Sequence, residues 1–256
     1  MMPEAAIARA RGFVRSLAIY HGRPGARRRL ARLLAPLIRP GDLCFDVGAH
    51  LGNRALAMLS LGARVVAVEP QPEFRAFLDW LARRNPGLIV EPLALGAAAG
   101  EAVLLASSAT PTVSSLSADW ARRMAGEAGF SAVRWDRRVP VRVATLDDLV
   151  ARHGLPAFVK IDVEGGEGAV LAGLGAAVPA LCFEFLPAAR DLAFACLDRV
   201  EALGDYRFNV ALGENDRFEF SDWVGGDAIR DWLGARPPRG RSGDLYARLR
   251  HPEAAR

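Results

Sequence analysis

An α/β fold, with a mainly parallel sheet covered by helices on both faces, is what the sequence predicts, and three observations carry that expectation. Short apolar runs of strand length alternate with amphipathic helical segments through the middle of the chain. The first strong run, Leu43 to Val47, passes directly into a glycine turn and then a helix, "CFDVGAHLGN" at 44–53. Several runs are apolar almost throughout rather than alternating, as strands buried on both faces are. The chain of 256 residues fits one large domain better than two small ones.

Taken in order, residues 4–20 place Ile7, Ala10, Val14, Leu17 and Ala18 at helical spacing, and Leu30, Leu33, Leu34 and Leu37 repeat the pattern after Gly22 and Pro24. Pro36 ends or kinks this second helix, and Pro40 with Gly41 turns the chain into the strand 43–47. Residues 1–40 thus read as an N-terminal helical extension and 41–256 as the main domain. Next come a strand at 64–68, a helix at 72–84, and strands near 88–93 and 101–106. An irregular stretch precedes a strand at 139–143, a short helix from Thr145, a strand at 157–162, a helix from Gly166 and a strand at 181–185. The last third offers strands near 206–212, 216–220 and 244–248 without helices of comparable strength between them, which predicts an antiparallel C-terminal edge.

Composition excludes several classes. No run approaches the roughly 20 apolar residues that span a bilayer, and Arg9, Arg11 and Arg15 break the apolar segment a signal peptide needs, so a soluble cytoplasmic protein is expected. Cys44, Cys182 and Cys196 are scattered thiols rather than a disulfide framework, and no metal-ligand spacing is visible. A net charge of +4 spread over both signs gives no nucleic-acid stripe. Arg23, Arg27, Arg28, Arg29 and Arg32 form one local basic excess, either a solvated helix face or a weak contact for an anionic lipid or acceptor.

The turn after 43–47 lies where an open parallel sheet binds ligands, beyond the carboxyl ends of its strands. Gly48 and Gly52 let backbone come close to a ligand, but their GxxxG spacing is not the GxGxxG of dinucleotide sites. Asp46 suits a ligand bearing an ammonium or sulfonium charge, and Glu69, ending "VVAVE", can accept both hydroxyls of a ribose. Together with "LALGAAAGE" (93–101), "TLDDLV" (145–150), "VKIDVEGGEGAVLAGL" (159–174) and "CFEF" (182–185), these segments resemble the FkbM-like S-adenosylmethionine-dependent methyltransferases over residues 41–190. The resemblance implies a class I methyltransferase (Rossmann-like) fold, cofactor contacts from Asp46, Gly48, Gly52, Asn53 and Glu69, and transfer of a methyl group from S-adenosyl-L-methionine to an oxygen. The implied acceptor is a sugar, glycolipid, polyketide or related small molecule or glycan.

Lys160 is the only lysine in a chain that otherwise uses arginine. Alternation along its strand puts Lys160 and Asp162 on one face and Val159 and Ile161 on the other, so Asp162 ends the strand at the crevice, with Glu164 in the turn beyond. Methyl transfer to an alcohol needs alignment and a base for the hydroxyl proton. Asp162 is the first candidate, Glu164 the next, with Glu184 and His50 also within the crevice's reach. Lys160 serves either as an ion-pair partner fixing Asp162 or Asp46 or as a base itself. The polar segment 107–120 is an acceptor lid or a surface connection, with Trp120 and Trp135 as an apolar wall or as packing. A non-catalytic nucleoside-binding scaffold on the same fold is the alternative, followed by an NAD-linked dehydrogenase.

Overall fold

The computed structural model describes residues 4–22, 24–213 and 217–251. Two helices, α1 (Glu4–His21) and α2 (Ala26–Leu34), precede β1 (Leu43–Val47), and α2 ends before Pro36 as proline requires. From β1 the chain alternates: α3 (Asn53–Ser60), β2 (Arg64–Val68), α4 (Pro72–Ala82) and β3 (Leu88–Glu91). After β4 (Ala94–Leu95), β5 (Gly100–Ala106), α5 (Ala118–Met124) and β6 (Arg137–Ala144), alternation resumes with α6 (Leu146–His153), β7 (Phe158–Ile161), α7 (Glu167–Ala172) and β8 (Ala180–Phe185). The chain closes with α8 (Arg190–Leu203), β9 (Tyr206–Leu212), α9 (Gly226–Gly234) and β10 (Gly243–Leu249).

Seven strands form one sheet in the order β3-β2-β1-β7-β8-β10-β9. All neighbours are parallel except β10, which runs antiparallel to both β8 and β9. This is the class I methyltransferase arrangement, and its C-terminal edge is antiparallel as predicted, with β10 slotted between β8 and β9. The two sheet faces carry separate cores. Val47, Val68, Val159, Ile161, Leu181 and Phe183 point into one, under α6–α9; Cys44, Val65, Ala67, Phe158, Cys182 and Tyr246 point into the other, under α2–α4. Strand alternation and double-sided burial therefore coincide, as the apolar runs predict. The three cysteines are free and buried, and no helix among the described residues is long and apolar enough to cross a membrane.

Three expectations need correction. The strands at 101–106 and 139–143 do not join the main sheet; β5 and β6 pair antiparallel with each other, and with β4 make a separate three-stranded sheet. The last third is richer in helix than its pattern suggests: α9 lies between β9 and β10, and α8 buries Ala193, Cys196, Leu197 and Val200. Small residues in that stripe mute its hydrophobic signal. No strand forms over 217–220; Glu219 only donates its amide to Val210 (2.8 Å), and Val224 makes an isolated bridge to Phe208. Residue 216 and Arg23 lie outside the described residues.

Candidate active site

The carboxyl ends of β1, β2, β7 and β8 open onto two adjoining clefts. One, of about 110 Å³, is walled by Leu93, Leu95, Leu104 and Leu116 and holds Glu69 at its rim. The other, of about 230 Å³, is polar and holds Asp46, Asn53, Arg54, Asp162, Glu164, Glu184 and Asp244. Gly48, His50, Thr112, Asp162 and Glu164 line both. The divide exists because Gly48 (φ 79°) lets β1's exit turn come against β7: a Cβ there would sit 1.8 Å from the Asp162 carbonyl oxygen. Gly52, by contrast, lines neither cleft. It caps α3 at φ 70° and lies against Leu78 and Leu81, so what its missing side chain admits is helix packing.

Glu69 is 3% exposed, and each oxygen accepts one backbone N–H: from His50 (2.9 Å) and from Gln71 (2.8 Å). Burial pushes this carboxyl up to about 7 against those bonds. A carboxylate oxygen has a second lone pair, so both can still accept from a diol. Asp46 sits beside Lys160 across the β1–β7 register, is 2% exposed, and leaves Oδ2 without a partner among the described residues. Burial raises it to about 6, opposed by the charges of Arg54 and Lys160. An orphaned buried carboxylate oxygen beside an apolar slot ending in a diol acceptor fits an amino-acid-bearing nucleoside such as S-adenosylmethionine.

Across the divide the charges crowd. Asp162, Glu164 and Glu184 each offer an oxygen, all within 4.8 Å of one another, a set able to share protons or hold a cation. Burial, then the charges of Glu184 and Asp162, push Glu164 well above the usual carboxylate range; burial and Asp162 do the same to Glu184. Glu164 occupies the left-handed region (φ 56°), followed by Gly165 (φ 86°), and Glu167 ties this turn by accepting from the amides of Val163 and Gly165, both at 3.0 Å. The Trp120 ring fills the space where a Gly165 side chain would stand.

Lys160, fully buried, lies 3.3 Å from Asp162 and only 2.7 Å from Asp244 of β10, which also meets Arg54 at 2.9 Å. Burial alone would lower the lysine, but Asp162 and Asp244 more than offset it and hold the ammonium above its usual range. Asp244 is likewise held below its usual range by Arg54 and Lys160 in spite of burial. An ammonium so held has no proton vacancy to offer as a base. Sequence reasoning missed Asp244 and Arg54; a lone acid opening the apolar run "DLYARL" was the available signal. His50 rests on Phe74 (centroids 3.9 Å apart) and Tyr20, and burial with His21 nearby lowers it to about 3, so its imidazole is neutral.

The segment 107–120 is a fastened connection rather than an open lid. Ser107, Ser108 and Ser115 are buried, the single Ser114 hydroxyl proton is shared between Gln71 Oε1 (3.1 Å) and the Pro111 carbonyl (2.9 Å), and Ser115 Oγ donates to the Glu164 carbonyl (2.6 Å). Trp120 packs edge-on against Phe130 and Trp135.

A family profile described as "Methyltransferase FkbM domain" matches residues 46–236. No curated protein is similar to the chain in sequence. Among solved structures, a precorrin-6y C5,15-methyltransferase from Geobacter metallireducens is 13% identical, with 86% of each chain covered and a TM-score of 0.44. Aeropyrum pernix fibrillarin, solved with natively bound S-adenosyl-L-methionine, is 12% identical over 87% of this chain and 76% of its own, at 0.43. A TehB-like methyltransferase from Corynebacterium glutamicum is 13% identical over 92% and 94%, also at 0.43.

Proposed function

The chain belongs to the FkbM methyltransferase family, whose methyl donor is S-adenosylmethionine, and on that premise we propose that it methylates a hydroxyl oxygen of a sugar, glycolipid, polyketide or related small molecule. The observation that carries this reading is the pairing of an apolar, diol-accepting cleft with a carboxylate-lined one across the single backbone contact of Gly48 and Asp162. When bound, the cofactor supplies an electrophilic methyl group. Glu69 accepts the ribose hydroxyls, Asp46 faces the ammonium, and Leu93, Leu95 and Leu104 cover the base. Gly48 and Asn53 complete the wall, while Gly52 acts by packing α3.

Asp162 lies at the boundary between the clefts, where an acceptor hydroxyl meets the donor, and takes its proton. Lys160 holds Asp162 in place and stays charged throughout, so it is a positioning residue. Glu164 and Glu184, whose carboxyls burial and neighbouring charge raise, orient the acceptor's other hydroxyls. Replacing Asp162 with Asn keeps shape but removes the acceptor of the proton. With labelled S-adenosylmethionine and hydroxyl acceptors, kcat for Asp162→Asn is expected to fall by about 10²-fold or more while cofactor affinity changes little. Full activity in that variant removes Asp162 as the base. Absence of S-adenosylmethionine binding in the unaltered protein removes the whole reading.

A further inference from the structure

A cavity larger than either cleft adjoins the site. About 360 Å³ in volume, it opens between the α1–α2 turn and the start of α3, and it shares Tyr20, Asn53, Arg54, Gly213 and Asp244 with the carboxylate cleft. A molecule entering here therefore reaches the carboxylate cleft past Arg54 and Asp244, without passing through the apolar cleft. Its floor is apolar, with Leu30, Leu33 and Leu56, and its rim carries Arg27, Arg28 and Arg29.

Among the described residues, no carboxylate pairs with any of those three guanidinium groups. Arg27 and Arg28 make no hydrogen bond or ion pair with another described residue, and Arg29 only donates to the Pro24 carbonyl at 3.2 Å. Arg54, deeper in, is engaged by Asp244. The rim arginines repel one another, and they occupy the first turn of α2, the end of a helix where the dipole disfavours cations; that turn has no acidic residue and no side-chain cap. Guanidinium forks match phosphate oxygens in pairs, and an anion seated here resolves both penalties at once. The remote position also suits a binding group that anchors the acceptor while its hydroxyl reacts elsewhere.

We propose that this cavity is the acceptor's binding site and that the acceptor is a hydroxyl compound bearing a phosphate group, which Arg27, Arg28 and Arg29 hold while the hydroxyl reaches Asp162. The proposal deepens the methyl-transfer reading and rests on it. These arginines precede the residues that match the family profile, 46–236, so this part of the acceptor's selection is added to the family domain by the N-terminal helices.

The test titrates inorganic pyrophosphate into the full-length, cofactor-saturated protein by calorimetry. Binding is expected, with affinity falling tenfold or more in the Arg27→Ala/Arg28→Ala/Arg29→Ala variant, whose affinity for S-adenosylmethionine stays that of the parent and whose thermal transition is no lower. An Arg138→Ala/Arg142→Ala variant, losing two exposed charges on the three-stranded sheet, is expected to bind pyrophosphate normally. Undetectable pyrophosphate binding, or an equal loss in this second variant, overturns the proposal while intact cofactor binding leaves the methyl-transfer reading standing. Given pyrophosphate binding, co-sedimentation with phosphatidylglycerol–phosphatidylcholine vesicles that the triple variant loses assigns the phosphate to a lipid headgroup. Absence of co-sedimentation assigns it to a soluble acceptor.

Discussion

The two clefts at the strand ends are built from the same residue type to opposite purposes. In the apolar one the carboxylate away from the divide, Glu69, has a backbone amide on each oxygen and no charged partner among the described residues. In the polar one three carboxylates share one small space, and two cations beneath them are bound to a fourth, Asp244. Hydrogen bonds from fixed backbone hold a group still for recognition. Charges in excess leave a region poised to move protons. What keeps the regimes apart is one backbone contact, and the predictions below break it, unbalance one side, then titrate the other.

The largest effect belongs to the divide. In Gly48→Ala a methyl would stand 1.8 Å from the Asp162 carbonyl oxygen at φ 79°, so β1 and β7 must part. Conformational strain of about 1–3 kcal/mol adds to that clash, and loss of the cooperative thermal transition is expected. Gly41→Ala separates the two contributions, because Gly41 also has a positive φ (88°) but meets nothing within 4 Å. It should cost only about 1–2 kcal/mol, the ordinary left-handed penalty. Equal, small losses in both variants would mean that the two turns do not touch.

Unbalancing the polar side comes next. Lys160→Met removes the ammonium from Asp244 and Asp162 and leaves a buried carboxylate with Arg54 alone; destabilisation of about 3 kcal/mol is expected in denaturant titration. Lys160→Arg retains the charge but must fit a larger head into a fully buried site, an overpacking cost of about 1–3 kcal/mol. A stable, fully active arginine variant would show that the lone lysine in this arginine-rich chain is not there for its size.

These experiments turn on residues that were unequally legible. Asp46, Gly48, Glu69 and Asp162 stand out in the sequence because each ends a strand whose apolar run fixes its face, and a parallel sheet brings strand ends together. Asp244 does not, because β10 enters the sheet between β8 and β9 and so meets Lys160 from 84 positions away. Periodicity assigns a side chain to a face of the sheet but not to its neighbour strand. Likewise the serines of 107–115 look like a solvated loop, and only their bonds to Gln71 and Glu164 reveal a brace; sequence carries no trace of a side chain donating to a distant carbonyl. The second sheet was hidden for the same reason, since β5 and β6 are strands by composition whichever sheet they join.

The smallest expected effect, about tenfold, titrates the apolar cleft. Glu69 is raised to about 7 from an ordinary value of 4.5, so the folded protein without cofactor holds a proton that the unfolded chain releases, and stability declines as pH rises from about 4.5 to 7. Ribose hydroxyls donate to the ionised form, so cofactor binding favours loss of that proton. S-adenosylmethionine should therefore bind about tenfold more tightly at pH 8 than at pH 6, with proton release at the lower pH. Asp46, raised to about 6, adds a further factor of about two through the cofactor's ammonium. In Glu69→Gln the larger factor should vanish, leaving only the slope due to Asp46, whereas Glu164→Gln and Glu184→Gln should keep the full dependence. Calorimetry in two buffers of different ionisation heat measures both affinity and protons released. An unchanged pH dependence in Glu69→Gln would place the titrating group across the divide, with Glu164 and Glu184, and the two clefts would then be one electrostatic unit.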